Sequence, residues 1–345
     1  MLKRVLFSLV ILLITTLPHV ACAQDDVPVV MRISFTTSVT HNTHYWTPLE
    51  VLKEQVEKQS KGRLKIELHD RENWESNLET IRMVRNGAIQ ANTFTDGNLA
   101  AVYPPIQVFS IPYLFANREI AWAVLDGPFG QKMIEDMAAK TGLRPLFWIE
   151  NGGFRHFSNN KHAIHSPADM SGLRIRTMNS PLHVKIVNDL GAKGVPINWG
   201  NVYEAIEAGI VDGQENSIST FLIPHLEKVQ SYIVLDSHVY SVYTLLMNEA
   251  WYQALPDDLK HIIQRAKRPA AVANRGLSIS NEIYNLNYLQ SQGVTITVPS
   301  AEEMRLFREK IRPPAIQWLN ENIGKEWVEG ALQATAEAEK QLGYQ

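Results

Sequence analysis

The chain holds one cysteine in 345 residues, and Cys22 falls within an N-terminal stretch laid out like a secretory leader. Lys3 and Arg4 precede a mostly apolar run from Val5 to Leu17, followed by Pro18 and the small-residue site Ala21-Cys22-Ala23. Residues 1–23 are therefore expected to be removed, leaving a mature chain that starts near Gln24 and has no thiol. That excludes disulfides, cysteine metal sites and a thiol nucleophile. The rival reading is a lipid anchor on Cys22, but His19 stands where a leucine-like residue is expected. The apolar run is too short to span a bilayer, and no later stretch approaches ~18 uncharged apolar residues, so a soluble, exported, periplasmic protein is expected.

Other signals are absent too. There is no Gly-x-Ser-x-Gly elbow, Gly-x-x-x-x-Gly-Lys loop, His-Glu-x-x-His or Gly-x-Gly-x-x-Gly after a strand, which removes the signature of four common enzyme classes. No catalytic residue or cofactor is read. A net charge of -3 gives no electrostatic footprint for nucleic acid. His41 with His44, and His162 with His165, have metal-like spacing but lie in loop-like segments, so no metal site is read. No internal repeat or low-complexity segment is visible.

What is present is alternation. About 320 mature residues exceed the usual size of one core, so two lobes are expected. Val29 to Phe35 reads as a strand, Thr47 to Ser60 as an amphipathic helix stopped by Gly62, and Arg63 to Leu68 as a strand. Ser76 can cap a helix ending at Gly87; Ile89 to Thr95 follows as a strand and Asp96-Gly97-Asn98 as a turn. Helices at 118–125 and 129–140 precede a strand from Arg144 to Glu150, and Asn151-Gly152-Gly153 reads as a turn crossing between lobes. A second series follows: strands at 154–158 and 173–177, a helix from Pro181 to Leu190, a strand at 192–196 and a helix ending at Gly209. Two strands, Tyr232 to Leu235 and Val239 to Asn248, return the chain. From Pro256 to Leu289 only Pro269 and Gly276 interrupt a single long helix, and Val294 to Val298 and two terminal helices broken by Pro313-Pro314 and Gly324 complete the chain.

Within the second series, alternation puts Arg174 and Arg176 on one strand face and Leu173, Ile175 and Thr177 on the other. A guanidinium can thus leave a packed sheet as a planar fork of donors suited to a carboxylate. Val211-Asp212-Gly213-Gln214-Glu215-Asn216 adds a loop amide in the same lobe. A secreted two-lobe α/β chain without nucleophile, metal or nucleotide motifs is most simply a binding protein closing by a hinge.

Gly87-Ala88-Ile89, Ile111-Pro112-Tyr113-Leu114-Phe115, Asn151-Gly152-Gly153-Phe154-Arg155, Ser171-Gly172-Leu173-Arg174-Ile175-Arg176, Asn201-Val202-Tyr203-Glu204-Ala205 and the Asp212 to Asn216 segment go further. In order and spacing they resemble the periplasmic solute-binding subunit of tripartite ATP-independent periplasmic (TRAP) transporters of the dicarboxylate-receptor type. The resemblance implies an α/β, two-lobe periplasmic binding protein fold, with a ligand cleft between lobes and a long helix spanning both. Lobe I is then 24–152 with 242–280 returning to it, and lobe II 153–241 completed by 281–345. It implies a monomeric receptor that passes a small carboxylate to the transporter's membrane subunits.

By the same resemblance Arg176 forms the main salt bridge, Arg155 assists at the carboxylate or at hydroxyls, Asn216 supplies an amide and Trp199 packs on the ligand. Asp96 accepts hydroxyl hydrogen bonds, with Asn179, Thr36 and His44 as lesser contacts. Ser217 departs from the usual proline, and Asn73-Trp74-Glu75 from a common Gln-Leu-Gly. An acceptor at Asp96 and an amide at Asn216 favour a sugar acid such as a hexuronate, then a four-carbon dicarboxylate. The rival readings are a receptor of another uptake or sensory system and an exported enzyme acting on sugar acids.

Overall fold

The computed structural model describes residues 27–35, 43–69 and 76–344. The leader with Cys22, Thr36, His41 and the Asn73-Trp74-Glu75 departure lie outside the described residues. The first series is β1 (Val29–Ser34), α1 (Thr47–Gln59), β2 (Leu64–His69), α2 (Asn77–Arg85), β3 (Ala91–Thr95) and α3 (Asp96–Leu99). On α1, Leu49, Leu52 and Val56 are buried at helical spacing, and Ser76 caps α2 by accepting the Glu79 N–H at 3.2 Å. Asp96 to Asn98, expected as a turn, instead opens α3, because the Thr95 hydroxyl accepts the Asn98 N–H and caps it.

A 3-10 segment at Pro104–Ser110, α4 (Arg118–Asp126) and α5 (Pro128–Thr141) lead into β4 (Leu143–Asn159). There follow β5 (Arg174–Thr177), α6 (Pro181–Asp189), β6 (Lys193–Pro196), α7 (Val202–Glu207), β7 (Gly213–Ser217) and α8 (Ile218–Phe221). The chain returns through β8 (Tyr232–Asn248), then α9 (Glu249–Ala254), α10 (Asp257–Ser291), β9 (Thr295–Thr297), α11 (Ala301–Ile323) and α12 (Lys325–Gln341). The sheet order is β2-β1-β3-β8-β4-β7-β5-β6, with β9 beside β8. Two largely parallel halves are therefore joined by the antiparallel pair β4 and β8, which belongs to both.

Four expectations are corrected. Asn151-Gly152-Gly153 does not reverse the chain: it is a bulge inside β4, with a register shift against β8 between Glu150 and Gly153. Gly152 and Gly153 take φ of +81° and +93°, so the glycines bend a continuous strand rather than end it. The two strands read at 232–235 and 239–248 are one, β8, because β4 pairs with it on both sides of its own irregularity. Asn216 sits on β7 rather than in a loop, since Gly213 to Ser217 pair with β4. Pro313-Pro314 does not break α11, whose Phe307, Ile311, Ala315 and Leu319 are buried four apart, so packing overrides propensity.

The long helix α10 ties the halves together. Its Leu259, Ile262, Ile263, Ala266 and Ala270 join the core around β1, α1 and β2, while its Leu289 joins the core around α7 and α8. Midway, the Asn274 side chain accepts the Glu150 N–H at 2.8 Å and donates to the carbonyls of Glu150 and His44, pinning the helix to the bulge.

Candidate functional site

The C-terminal ends of β3, β5 and β7 meet the β4 bulge, the place where an α/β sheet leaves a crevice. A cavity opens there, lined by side chains from both halves, among them Thr95, Asn98, Arg155, Arg176, Trp199 and Asn216. Met178, just after β5, reaches over to α3, and the Thr95 hydroxyl meets its sulfur at 3.4 Å.

Arg176 is 2% exposed on β5. Its Nε donates to the Ile197 carbonyl at 2.9 Å, its guanidinium lies 5.5 Å from the centre of the Trp199 ring, and its Nη1 is buried with no partner. Among the described residues no carboxylate forms an ion pair with it. Burial pulls its pKa down to about 9 although Glu215 acts against it from a distance, so it remains cationic at neutral pH, a buried charge that no described carboxylate contacts at the wall of a cavity. Arg174, two residues earlier, is spent: it forms a fork with Asp212 (2.7 and 3.0 Å) and stands half-exposed.

Arg155 is the opposite case. All five of its donors are used inside the protein, on both carboxylate oxygens and the carbonyl of Glu215, on Asn216 Oδ1 (3.1 Å) and on the Ser241 hydroxyl (2.9 Å). Glu215 also faces His183 and His238, each at 3.4 Å, and His238 Nδ1 lies 2.9 Å from Asp236. Burial alone would raise the Glu215 pKa, but Arg155 and the two histidines hold it well below the usual carboxylate range. Burial would likewise lower His238, and Asp236 and Glu215 outweigh it, raising its pKa to about 9. Arg155 is thus a neutralised strut whose task is to fix Asn216. With Asn216 Oδ1 accepting from Arg155 and from the Ser217 N–H at 3.0 Å, the amide donors are left for the cavity.

Arg176, Arg155, Asn216 and Trp199 are therefore brought together at the cavity, whereas three other candidates, Asp96, Asn179 and His44, are not among its lining. Asp96 is buried behind the wall, its carboxylate accepting from Ser110 at 2.5 Å and its pKa raised by burial. Asn179 is exposed and donates to Asn198 at 2.8 Å. His44 is wholly buried against the Tyr45 ring at 4.0 Å, and burial drops its pKa to about 3. Thr36 is outside the described residues. His162 and His165 approach Asp169 and Glu303 respectively, and no group of three ligand-type side chains suited to a metal occurs among the described residues.

The sequence reading missed the neutral wall. The Tyr45 hydroxyl donates to Asn151 Oδ1 and lies 2.8 Å from the Thr220 hydroxyl, and Tyr243 donates to Thr93 at 2.7 Å. Ser217, the departure from proline, uses its hydroxyl to donate to the Asn151 carbonyl at 2.7 Å, locking β7 to the bulge. The signal for Tyr45 was its place beside His44: in that turn the tyrosine, not the histidine, faces the cavity.

The model of bacterial extracellular solute-binding protein, family 7, matches residues 35–321. A solute-binding protein of Verminephrobacter eiseniae is 32% identical over 77% of this chain and 78% of its own length. The sugar acid binding protein of Advenella mimigardefordensis, solved with galactonate, superposes with a TM-score of 0.84 at 30% identity, covering 90% of this chain and 99% of that one. A TRAP periplasmic solute-binding protein of Polaromonas bound to D-erythronate gives a TM-score of 0.81 at 28% identity, covering 88% and 98%. A two-lobed sheet joined by shared strands, a long helix across both halves and this extent of matching lead to one assignment: the chain belongs to bacterial extracellular solute-binding protein family 7, the periplasmic solute-binding subunits of TRAP transporters.

Proposed function

We propose that this protein is an extracytoplasmic receptor that captures a small organic acid, a sugar acid before a four-carbon dicarboxylate, and delivers it as a monomer to the membrane subunits of a TRAP transporter. The observation that carries this is Arg176, a buried guanidinium without a carboxylate partner at the wall of an interlobe cavity. A ligand carboxylate supplies the missing counter-charge, with Arg176 Nη1 and the Asn216 amide as donors and Trp199 beneath. Arg155 positions Asn216 rather than touching the acid. Bound galactonate and D-erythronate in two similar proteins support a hydroxylated acid. No bond is made or broken. Closure draws on contacts from both lobes, with the β4 bulge and β8 as the flexing strands.

A thermal-shift screen of the mature protein against aldonic, uronic and four-carbon dicarboxylic acids tests the reading. A shift with at least one acid, abolished in Arg176→Ala, is expected; no shift with any refutes it. N-terminal sequencing of periplasmic material should begin near Gln24, and labelled acid should enter cells only when the receptor and its membrane subunits are present together.

A further inference from the structure

Among the described residues two ionised side chains line the cavity, Arg155 and Arg176, and no carboxylate does. Every donor of Arg155 is already held by Glu215, Asn216 and Ser241, so the described wall offers one free positive charge. The other described polar residues of the lining are neutral: Tyr45, Asn77, Thr95, Asn98, Asn151 and Tyr243 supply amides and hydroxyls. Asn77 begins α2, whose N-terminal dipole could attract an anion, but the first turn of that helix carries Glu79. The stretches 36–42 and 70–75 lie outside the described residues, so the charge count is that of the described lining. Asp96 does not line the cavity: one of its carboxylate oxygens accepts from Ser110, and the other is buried with no partner among the described residues.

We infer that the receptor selects a hydroxylated monocarboxylate and refuses the diacid of the same carbon skeleton, because the cavity matches one carboxylate at Arg176 and an uncharged, hydroxylated tail against the amide and hydroxyl wall. This rests on the reading of the cavity as the ligand site. Among the described residues a second carboxylate would be buried beside neutral groups with no free cation to meet it, and an ionised group left unpaired is costly to desolvate. Amide and hydroxyl groups, by contrast, exchange hydrogen bonds with sugar hydroxyls at little cost.

Matched series separate charge from shape: galactitol, galactonate and galactarate, and likewise glucitol, gluconate and glucarate, and erythritol, erythronate and meso-tartrate. Within each series only the oxidation of the chain ends changes. Calorimetric titration of the mature protein should show the monoacid of at least one series binding, its diacid weaker by at least about a hundredfold, and its polyol without measurable heat. Asn98→Lys, which adds a cation to the neutral wall, should improve the diacid by about tenfold or more without improving the monoacid. A diacid binding within about tenfold of its monoacid, or an Asn98→Lys protein that folds and gains nothing for the diacid, overturns the inference while leaving the receptor reading intact. If no compound of any series binds, the inference is overturned; a polyol binding as well as its acid, or no shift with the uronic and dicarboxylic acids either, overturns the receptor reading with it.

Discussion

Replacing Arg176 by methionine should weaken the receptor for its ligand and leave the empty protein at least as stable. The side chain makes one hydrogen bond, to the Ile197 carbonyl, and a contact with Trp199 at 5.5 Å. Those contribute about 1 kcal/mol each. Against them stands a buried charge with an unpartnered Nη1 and no carboxylate, depressed in pKa to about 9 by desolvation. Exchanging buried ionic groups for apolar ones of similar volume is commonly neutral or stabilising by ~1–4 kcal/mol. Arg176→Met should therefore raise the urea midpoint or leave it unchanged, with the m-value constant. Affinity should fall by roughly 2–5 kcal/mol, about 30- to several-thousand-fold. Arg176→Lys should recover only part, because a point charge lacks the planar fork. An Arg176→Met protein destabilised by more than about 2 kcal/mol would make Arg176 a structural residue, and one that binds like wild type would falsify the carboxylate assignment.

Glu215→Gln leaves Arg155 and His238 buried without their shared counter-charge; a loss of ~3–5 kcal/mol in chemical denaturation is expected, and a loss below 1 would dissolve the strut. The folded pKa of His238, about 9, lies above its ordinary 6.5. The stability it contributes is therefore complete below pH 6.5 and is lost as pH rises to 9. His238→Asn should flatten the wild-type decline across that window, and parallel curves would remove the histidine from the account. A Cβ on Gly153 would sit 2.2 Å from Arg118 Nη2 at φ +93°, whereas one on Gly172, at φ +80°, meets nothing within 4 Å. Gly153→Ala should thus cost about 1–3 kcal/mol and Gly172→Ala distinctly less, with equal costs counting against a packed bulge.

The β-α-β openings were legible because their signals are local: alternation through Leu64, Ile66 and Leu68, a serine cap at Ser76, a left-handed glycine at Gly142. The crossing strand was not. Two consecutive glycines announce positive φ, but whether the chain turns back or merely bulges is decided by β8 pairing with residues on both sides, and those partners lie some ninety positions away. The proline pair in α11 misled for a similar reason, since the burial that holds the helix together comes from the core it lies on. At the cavity, strand parity put Arg174 and Arg176 on one face and the family resemblance singled out Arg176, yet nothing local says that Asp96 bonds Ser110 or that Tyr45 rather than His44 lines the cavity.

The sequence also could not say which arginine is free, because that depends on where the carboxylates go. Glu215 and Asn216 are neighbours on β7, and successive strand residues point to opposite faces. Glu215 accordingly turns into the buried network and neutralises Arg155, while Asn216 turns to the cavity with its oxygen held by that same arginine. No described residue performs the matching service for Arg176, whose neighbours Ile197 and Trp199 offer a carbonyl and an indole face instead. A fold selected only for stability would gain by pairing or removing that charge. On the proposed reading, keeping it buried and unpaired makes the empty receptor less stable than it could be, and a ligand carboxylate would recover that energy on binding. The inferred selectivity follows from the same deficit, since one unmet positive charge would be satisfied by one carboxylate and leave nothing for a second.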